Sequence, residues 1–160
     1  MIDVLFVVDN SHAMQPAQDA LIAGFAQFIS DLENAAGGTV DLHVGVITPD
    51  VGVGPWDVGS CDDRGDDGKL QAVARVPGCA PPSDPFVAYK KTNDGSVVGN
   101  YSGSLAETFS CIAAVGVDGC GYEQPLEAVR RALDGSNPDN AGFLRPAAHL
   151  AVVIVSDEDD

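Results

Sequence analysis

Basic residues are scarce in this sequence. Its 8 lysines and arginines stand against 24 aspartates and glutamates, which gives a formal net charge of -16. The phosphates of nucleic acids and the headgroups of anionic membranes repel such a chain, so partners of these two classes are excluded. The uses that remain for the acidity are binding of cations, binding of basic partners, and solubility alone.

Long apolar runs are also missing. No run approaches the ~20 apolar residues that a membrane-spanning helix needs, so we expect no membrane insertion. No signal peptide is visible, and a strand-like run begins directly after Met1, which indicates an excised domain or a fragment. The 160 residues and the ordinary apolar fraction of 45% predict one domain with a real hydrophobic core.

The sequence has only 4 cysteines, and they show no Cys-x-x-Cys or close histidine spacing of the kind that zinc sites use. They lie in Gly-rich, loop-like sequence as two local pairs, Cys61 with Cys79 and Cys111 with Cys120. The even count favours two disulfides over a zinc site and indicates an oxidising compartment. We expect the local pairs to be the disulfides, although sequence alone does not prove a pairing.

Two apolar runs end abruptly in acidic residues. Residues 4–8 lead into Asp9-Asn10-Ser11, and residues 150–155 lead into Ser156 and Asp157. Runs that are apolar on both faces are typical of parallel strands covered by helices. If the strands are parallel neighbours, Asp9 and Asp157 face each other across one crevice, where a hard divalent cation relieves their repulsion. The alternative is that aspartate merely suits turns and helix N-caps at strand ends.

Three segments carry helical signatures. Residues 16–36 repeat apolar side chains at helical spacing and end at two glycines. Residues 104–115 open with a capping box formed by Ser104 and Glu107. Residues 124–133 have a proline in the first turn. The inward side chains of this last helix are predicted to be Leu126, Val129 and Leu133.

Residues 50–100 interrupt the alternation of strands and helices. The run before them, Val40–Ile47, alternates like a strand near a sheet edge, whereas the segment itself is rich in Gly, Pro and Asp, with strand-like pieces at residues 70–76 and 86–90. Its acidic cluster lacks the full spacing of a calcium loop, and we interpret it as solvated. We therefore predict an α/β fold with a doubly wound, mainly parallel, Rossmann-like sheet flanked by helices, and residues 50–100 as a disulfide-stapled insertion.

These residues resemble the von Willebrand factor A domain over nearly the whole chain. The first loop of that family reads Asp-x-Ser-x-Ser after an apolar strand, and residues 9–14 here read Asp-Asn-Ser-His-Ala-Met. The segment Val155-Ser156-Asp157 is similar to the third metal-site loop of the family, and Glu123 stands where the second loop normally has a threonine. Residues 119–128 and 155–160 resemble segments of secreted or surface A-domain proteins of bacteria.

The resemblance implies a metal-ion-dependent adhesion site and no enzymatic activity. One Mg²⁺ or Ca²⁺ would be bound, and a protein ligand would be held through an acidic side chain that completes the metal shell. The implied location is extracellular or at the cell surface. A full A domain has further strands and helices after its third loop, so the resemblance also implies an incomplete domain. The implied metal ligands are Asp9, Ser11, Glu123 and Asp157, and the implied ligand-binding rim is Asn10, His12 and Glu158.

Two departures from the family pattern keep other readings open. Ala13 removes a hydroxyl that is normally a direct ligand, and Glu123 adds a negative charge that lowers the pull of the cation on an acidic partner. The first alternative is therefore a scaffold domain with an inactive metal site. The second is a Mg²⁺-dependent phosphatase-like hydrolase with Asp9 as nucleophile, but Ser11 occupies the place of its second aspartate. Serine catalysis is disfavoured because the Gly-x-Ser-x-Gly elbow is missing around Ser11.

Overall fold

Five strands and three α-helices make up the described part of this computed structural model, residues 1–59 and 61–158. The strands are joined in one sheet in the order β4-β3-β2-β1-β5. In chain order the elements are β1 (Ile2–Val8), α1 (Gln15–Ala35), β2 (Val40–Ile47), β3 (Val87–Lys91), β4 (Val97–Gly99), α2 (Leu105–Ala113), α3 (Pro125–Leu133), a single 3-10 turn (Pro138–Asn140) and β5 (His149–Val155).

The sheet is mixed, so the predicted doubly wound, mainly parallel sheet is wrong. β1 pairs in parallel with β2 and β5, but β3 pairs antiparallel with both β2 and β4. β3 and β4 are joined by a tight hairpin in which Thr92 N donates to Ser96 O, and such a connection forces antiparallel pairing. The 86–90 strand prediction is confirmed within one residue, whereas residues 70–76 form no strand.

The core lies on both faces of β1, because successive side chains of a strand point to opposite faces. Val4, Phe6 and Val8 pack under α1 and α2. There the rings of Phe25 and Phe109 stack with their centroids 3.6 Å apart. The helices of residues 16–36 and 104–115 are confirmed, and so is the capping box that begins α2.

The opposite face of β1 packs against α3. Leu5 and Val7 contact a smaller cluster that includes Ala128 and Ala132 of that helix. The helix itself is confirmed, but its predicted inward face is partly wrong because Leu126 is exposed. Small alanines face the sheet instead, since they let the short helix approach closely.

β5 is the parallel neighbour of β1 but is not the buried strand that its apolar sequence predicted. Leu150, Val152 and Ile154 are 43%, 39% and 43% exposed. The reason is positional: β5 lies at the edge of the sheet, and in the described residues it pairs with β1 alone. An apolar run therefore predicted a strand correctly and its burial incorrectly.

All four cysteines form disulfides, as predicted, but the predicted pairing is wrong. Cys61 is bonded to Cys120 and Cys79 to Cys111, with Cα atoms 4.6 and 5.6 Å apart. The residue 50–100 segment is therefore attached to α2 and to the loop before α3, and not to itself. Two disulfides are compatible with an oxidising compartment.

The described residues contain no helix that is long and apolar enough to cross a membrane.

A buried ion network closes the amino-terminal end of the sheet. Asp3 is fully buried, and Arg145 binds it through the backbone N–H at 2.7 Å and through Nε at 2.8 Å. The same guanidinium pairs with the carboxylate of Asp41 and donates to the carbonyl of Ile2 at 3.1 Å. One cation thus binds two carboxylates on neighbouring strands.

Candidate functional site

Asp9 lies at the carboxyl end of β1 and is fully buried. Its Oδ1 accepts the backbone N–H of Ser11 at 2.7 Å, and its Oδ2 accepts the hydroxyl of Ser156 at 2.6 Å. The backbone N–H of Asp9 donates to the carbonyl of Val155 at 3.0 Å. The parallel pairing of β1 and β5 therefore brings the first and last predicted loops together at one carboxylate, as the strand argument requires.

Glu123 enters the same crevice from the loop before α3. Its side chain is buried, and its Oε1 has no hydrogen-bond partner among the described residues. Burial raises the pKa of the Glu123 carboxyl, and the charges of Asp9 and Glu158 raise it further. A hydrogen bond from its own backbone and one from the Ser11 hydroxyl lower it, but the pKa is raised overall. This carboxyl therefore faces two other carboxylates and does not simply complement the dipole of α3.

In the last loop Ser156 points into the crevice, and not Asp157, which the resemblance implied as a metal ligand. Asp157 is exposed, and it makes no hydrogen bond or ion pair with the rest of the described chain. Ser156 bonds Asp9 and accepts the N–H of Glu158 at 3.1 Å, while the charge of Glu158 acts on Glu123. Asp159 and Asp160 lie outside the described residues.

The predicted rim residues differ in their environments. His12 and Glu158 are exposed, whereas Asn10 is 7% exposed. The Oδ1 atom of Asn10 is buried and has no hydrogen-bond partner among the described residues.

Gln18 supports the first loop and was missed in the sequence. It is fully buried, and its Nε2 donates to the carbonyls of Asp9 at 2.8 Å and Gly116 at 2.7 Å. A signal for it was present, because Gln18 lies seven residues before the buried Phe25 and so on the apolar face of α1. A polar side chain on such a face needs a specific hydrogen-bond partner.

The oxygen donors around Asp9 are few, and Mg²⁺ is the cation that such a small set of donors would suit. In residues 1–59 and 61–158, no group of three or more His, Cys, Asp or Glu side chains is arranged to hold a metal ion. Mg²⁺ does not require one, since it keeps several waters and binds proteins through one or two carboxylates. Asp9 and Glu123 would supply those two carboxylates, and the Ser11 hydroxyl, which bonds Glu123, would supply a neutral oxygen. Each oxygen of Asp9 already accepts one hydrogen bond, and its second lone pair would face the cation.

Protein-family models, curated proteins and solved structures were compared with this chain, and none of them matches it. The functional assignment therefore depends on the geometry of the site.

Proposed function

We propose that the chain is a divalent-cation-dependent protein-binding module of the von Willebrand A type. The observation that carries the proposal is the buried, unpartnered Oε1 of Glu123 beside the buried carboxylate of Asp9. Burial of two facing carboxylates is unfavourable unless an opposite charge compensates them. No lysine, arginine or histidine pairs with either one in the described part of the chain.

Asp9, Ser11 and Glu123 would hold the cation, and Asp157 would act through water from its exposed position. Hard oxygen donors in this number suit Mg²⁺ or, with more waters and carbonyls, Ca²⁺. A bound cation would supply an open coordination position for an acidic side chain of a protein ligand. Since Glu123 and Asp9 cancel its charge, the attraction for that acidic group is weak, and we expect the exposed rim of His12 and Glu158 to contribute to recognition.

The proposal is for binding and not for catalysis. In the described residues no lysine, arginine or histidine forms an ion pair with Asp9, whereas a hydrolase of that kind uses a cation to balance the transferred phosphate. The two disulfides support an extracellular or cell-surface location.

A scaffold with an inactive site is the second candidate, and one observation favours it. Because the pKa of Glu123 is raised, this carboxyl can remain protonated and donate a hydrogen bond to a neighbouring oxygen, which would relieve the repulsion without a metal. The two candidates differ in whether a proton or a cation neutralises the crevice.

Calorimetric titration of Mg²⁺ and Ca²⁺ into the chelator-treated chain separates the two candidates. We expect the unmodified chain to bind one cation and Asp9→Asn to bind at least about tenfold more weakly, because a direct charged ligand is lost. The amide oxygen of asparagine keeps an acceptor for the N–H of Ser11, and the Ser156 hydroxyl can turn to accept from the amide NH2 group. Asp31→Asn, an exposed change of the same charge on α1, is the control and should leave affinity unchanged. A folded chain that binds no cation would support the scaffold.

A further inference from the structure

A second acidic cavity lies beside Asn10, and its lining includes none of the implied metal ligands Asp9, Ser11, Glu123 and Asp157. Its volume is about 310 Å³. Its polar lining consists of Asn10, Asp50, Asp62, Asp66, Arg75 and Asp118, which we call the acidic pocket. We infer that the acidic pocket binds an arginine side chain of a protein partner. This inference does not depend on cation binding at Asp9.

The buried amide of Asn10 points to a ligand with hydrogen-bond donors. Asn10 is 7% exposed, and its Oδ1 has no hydrogen-bond partner among the described residues. A buried polar atom without a partner is destabilising, because it has lost its hydrogen bonds to water. A carbonyl oxygen can only accept a hydrogen bond, so the group that satisfies it must be a donor.

The charge of the acidic pocket requires a cationic donor. Four carboxylates face one guanidinium, and Arg75 is bonded to Gln71 Oε1 at 2.7 Å and not to any of the four in the described structure. Asp118 is exposed, and both of its oxygens are free of hydrogen bonds from the described residues. The Thr48 hydroxyl donates to Oδ2 of Asp66 at 2.5 Å, and Oδ1 of Asp66 accepts no hydrogen bond from the described residues.

The size and geometry of the acidic pocket favour a side chain over a metal ion. At about 310 Å³ the acidic pocket has room for a guanidinium group. The two oxygens of Asp50 are already occupied by the N–H groups of Gly52 at 3.0 Å and Cys120 at 3.2 Å. No group of three or more acidic, histidine or cysteine side chains in the described residues is arranged to hold a metal.

Arginine fits these acceptors better than lysine does. Its guanidinium is a planar fork of five N–H donors and can bond several separate oxygens at once, whereas lysine is a compact point charge. Carboxylate oxygens without a donor among the described residues occur at Asp62, Asp66 and Asp118 on the walls of this cavity, and Asn10 adds a buried amide oxygen.

The walls of the acidic pocket are held in place before a ligand arrives. The Cys61–Cys120 disulfide joins the loop that carries Asp62 to the loop that carries Asp118. Gly65 has a φ of +56°, and a Cβ atom there would overlap the carboxylate of Asp50. A Cβ atom at Gly119 would overlap the amide of Asn10. Such preorganisation reduces the entropy cost of binding.

The test is titration of short capped peptides into the whole chain at low salt, in the presence of a chelator. Gly-Arg-Gly is compared with Gly-Lys-Gly and with its uncharged isostere Gly-citrulline-Gly. We expect the arginine peptide to bind and to shift the NMR signals of the Asn10 side-chain amide and the Gly119 backbone amide. Lysine should bind more weakly, and citrulline should not bind measurably.

Asp118→Asn should weaken binding of the arginine peptide about tenfold, because a charge-assisted hydrogen bond is lost. Asp62→Asn should also weaken binding of the arginine peptide, because a negative charge is lost. The loop should stay intact, since asparagine keeps the oxygen that accepts the N–H of Arg64 at 3.0 Å. Asp31→Asn should have no effect. Equal weakening by all three variants would show attraction to the net charge alone and would overturn the inference. So would the absence of measurable binding of the arginine peptide to the unmodified chain. Because a chelator is present, these outcomes are independent of the site at Asp9.

Discussion

Replacement of Arg145 by alanine is expected to lower the free energy of unfolding by about 3–5 kcal/mol. In the described structure the fully buried Asp3 pairs with Arg145 and, at 3.9 Å, with His43. The change removes the first of these two partners. It also removes a partner of Asp41 and leaves the carbonyl of Ile2 without its donor. A buried carboxylate left without its partner costs far more than the intact pair contributes. Urea denaturation with two spectroscopic probes measures the loss.

Arg130→Ala is the matched control for this prediction. Arg130 also binds two carboxylates, Glu127 and Asp134, but its side chain is 60% exposed. Surface pairs of this kind contribute about 0–1 kcal/mol. Equal destabilisation by the two arginine variants would contradict the account of a buried network at the amino-terminal end of the sheet.

The network also predicts a dependence of stability on pH. Burial raises the pKa of Asp41, but the hydrogen bond and charge of Arg145 and the contribution of Lys90 outweigh it, so the pKa is lowered overall. A lowered folded-state pKa gives stability that is present above the unfolded-state pKa and is lost as the pH falls through the folded-state pKa. Arg145→Ala should therefore lose less stability on acidification than the unmodified chain does.

Mg²⁺ affinity is expected to fall about tenfold for each pH unit below the raised pKa of Glu123. Burial is the main cause of that raised pKa, followed among the raising contributions by the charges of Asp9 and Glu158. The cation must displace the proton from this carboxyl before it binds, so one proton is released for each cation. Calorimetry over a range of pH values measures the slope.

Glu123→Gln is the control for proton competition, because glutamine keeps the shape and cannot titrate. The variant should bind Mg²⁺ more weakly at neutral pH and should lack the pH dependence that comes from Glu123. In the absence of cation the variant should also be more stable at neutral pH. A raised folded-state pKa means that the native chain binds more protons, so its stability falls as the pH rises through that window. Identical slopes in the two proteins would refute the role of Glu123.

Local patterns predicted most elements of this fold but not how the sheet is assembled. The periodicity around Phe25 and the capping box at Ser104 are local, and α1 and α2 follow from them. β3 runs antiparallel to β2 after the long connection of residues 48–86, a Gly-rich segment whose sequence pattern carries no signal for that direction. The exposure of β5 could not be predicted because an apolar run looks the same at an edge and at the centre of a sheet.

The disulfide pairing depends on contacts that sequence spacing does not encode. Cys61 and Cys79 are close in sequence, yet Cys61 bonds Cys120, 59 residues away. Which loops meet above a sheet is decided by the whole topology, and four cysteines allow three pairings that spacing alone does not separate.

The candidate site was predicted in outline and missed in detail. Asp9 and the last loop meet because β1 and β5 are parallel neighbours, which the two matching strand ends suggested. Beyond Val155, however, the regular alternation of a strand no longer determines where side chains point. Ser156 bonds Asp9 and caps its own turn through the N–H of Glu158, so Asp157 faces outward.

The most direct test of the central claim is the titration of the Glu123 carboxyl by carbon-detected NMR, with and without Mg²⁺. Its signal is assigned by its loss in Glu123→Gln. Without cation, we predict a pKa above the ordinary glutamate value, and with Mg²⁺ a pKa below it, because a bound cation stabilises the charged form. A titration curve that remains raised and unchanged up to tens of millimolar Mg²⁺ would contradict the cation site and leave a proton as the group that neutralises the crevice.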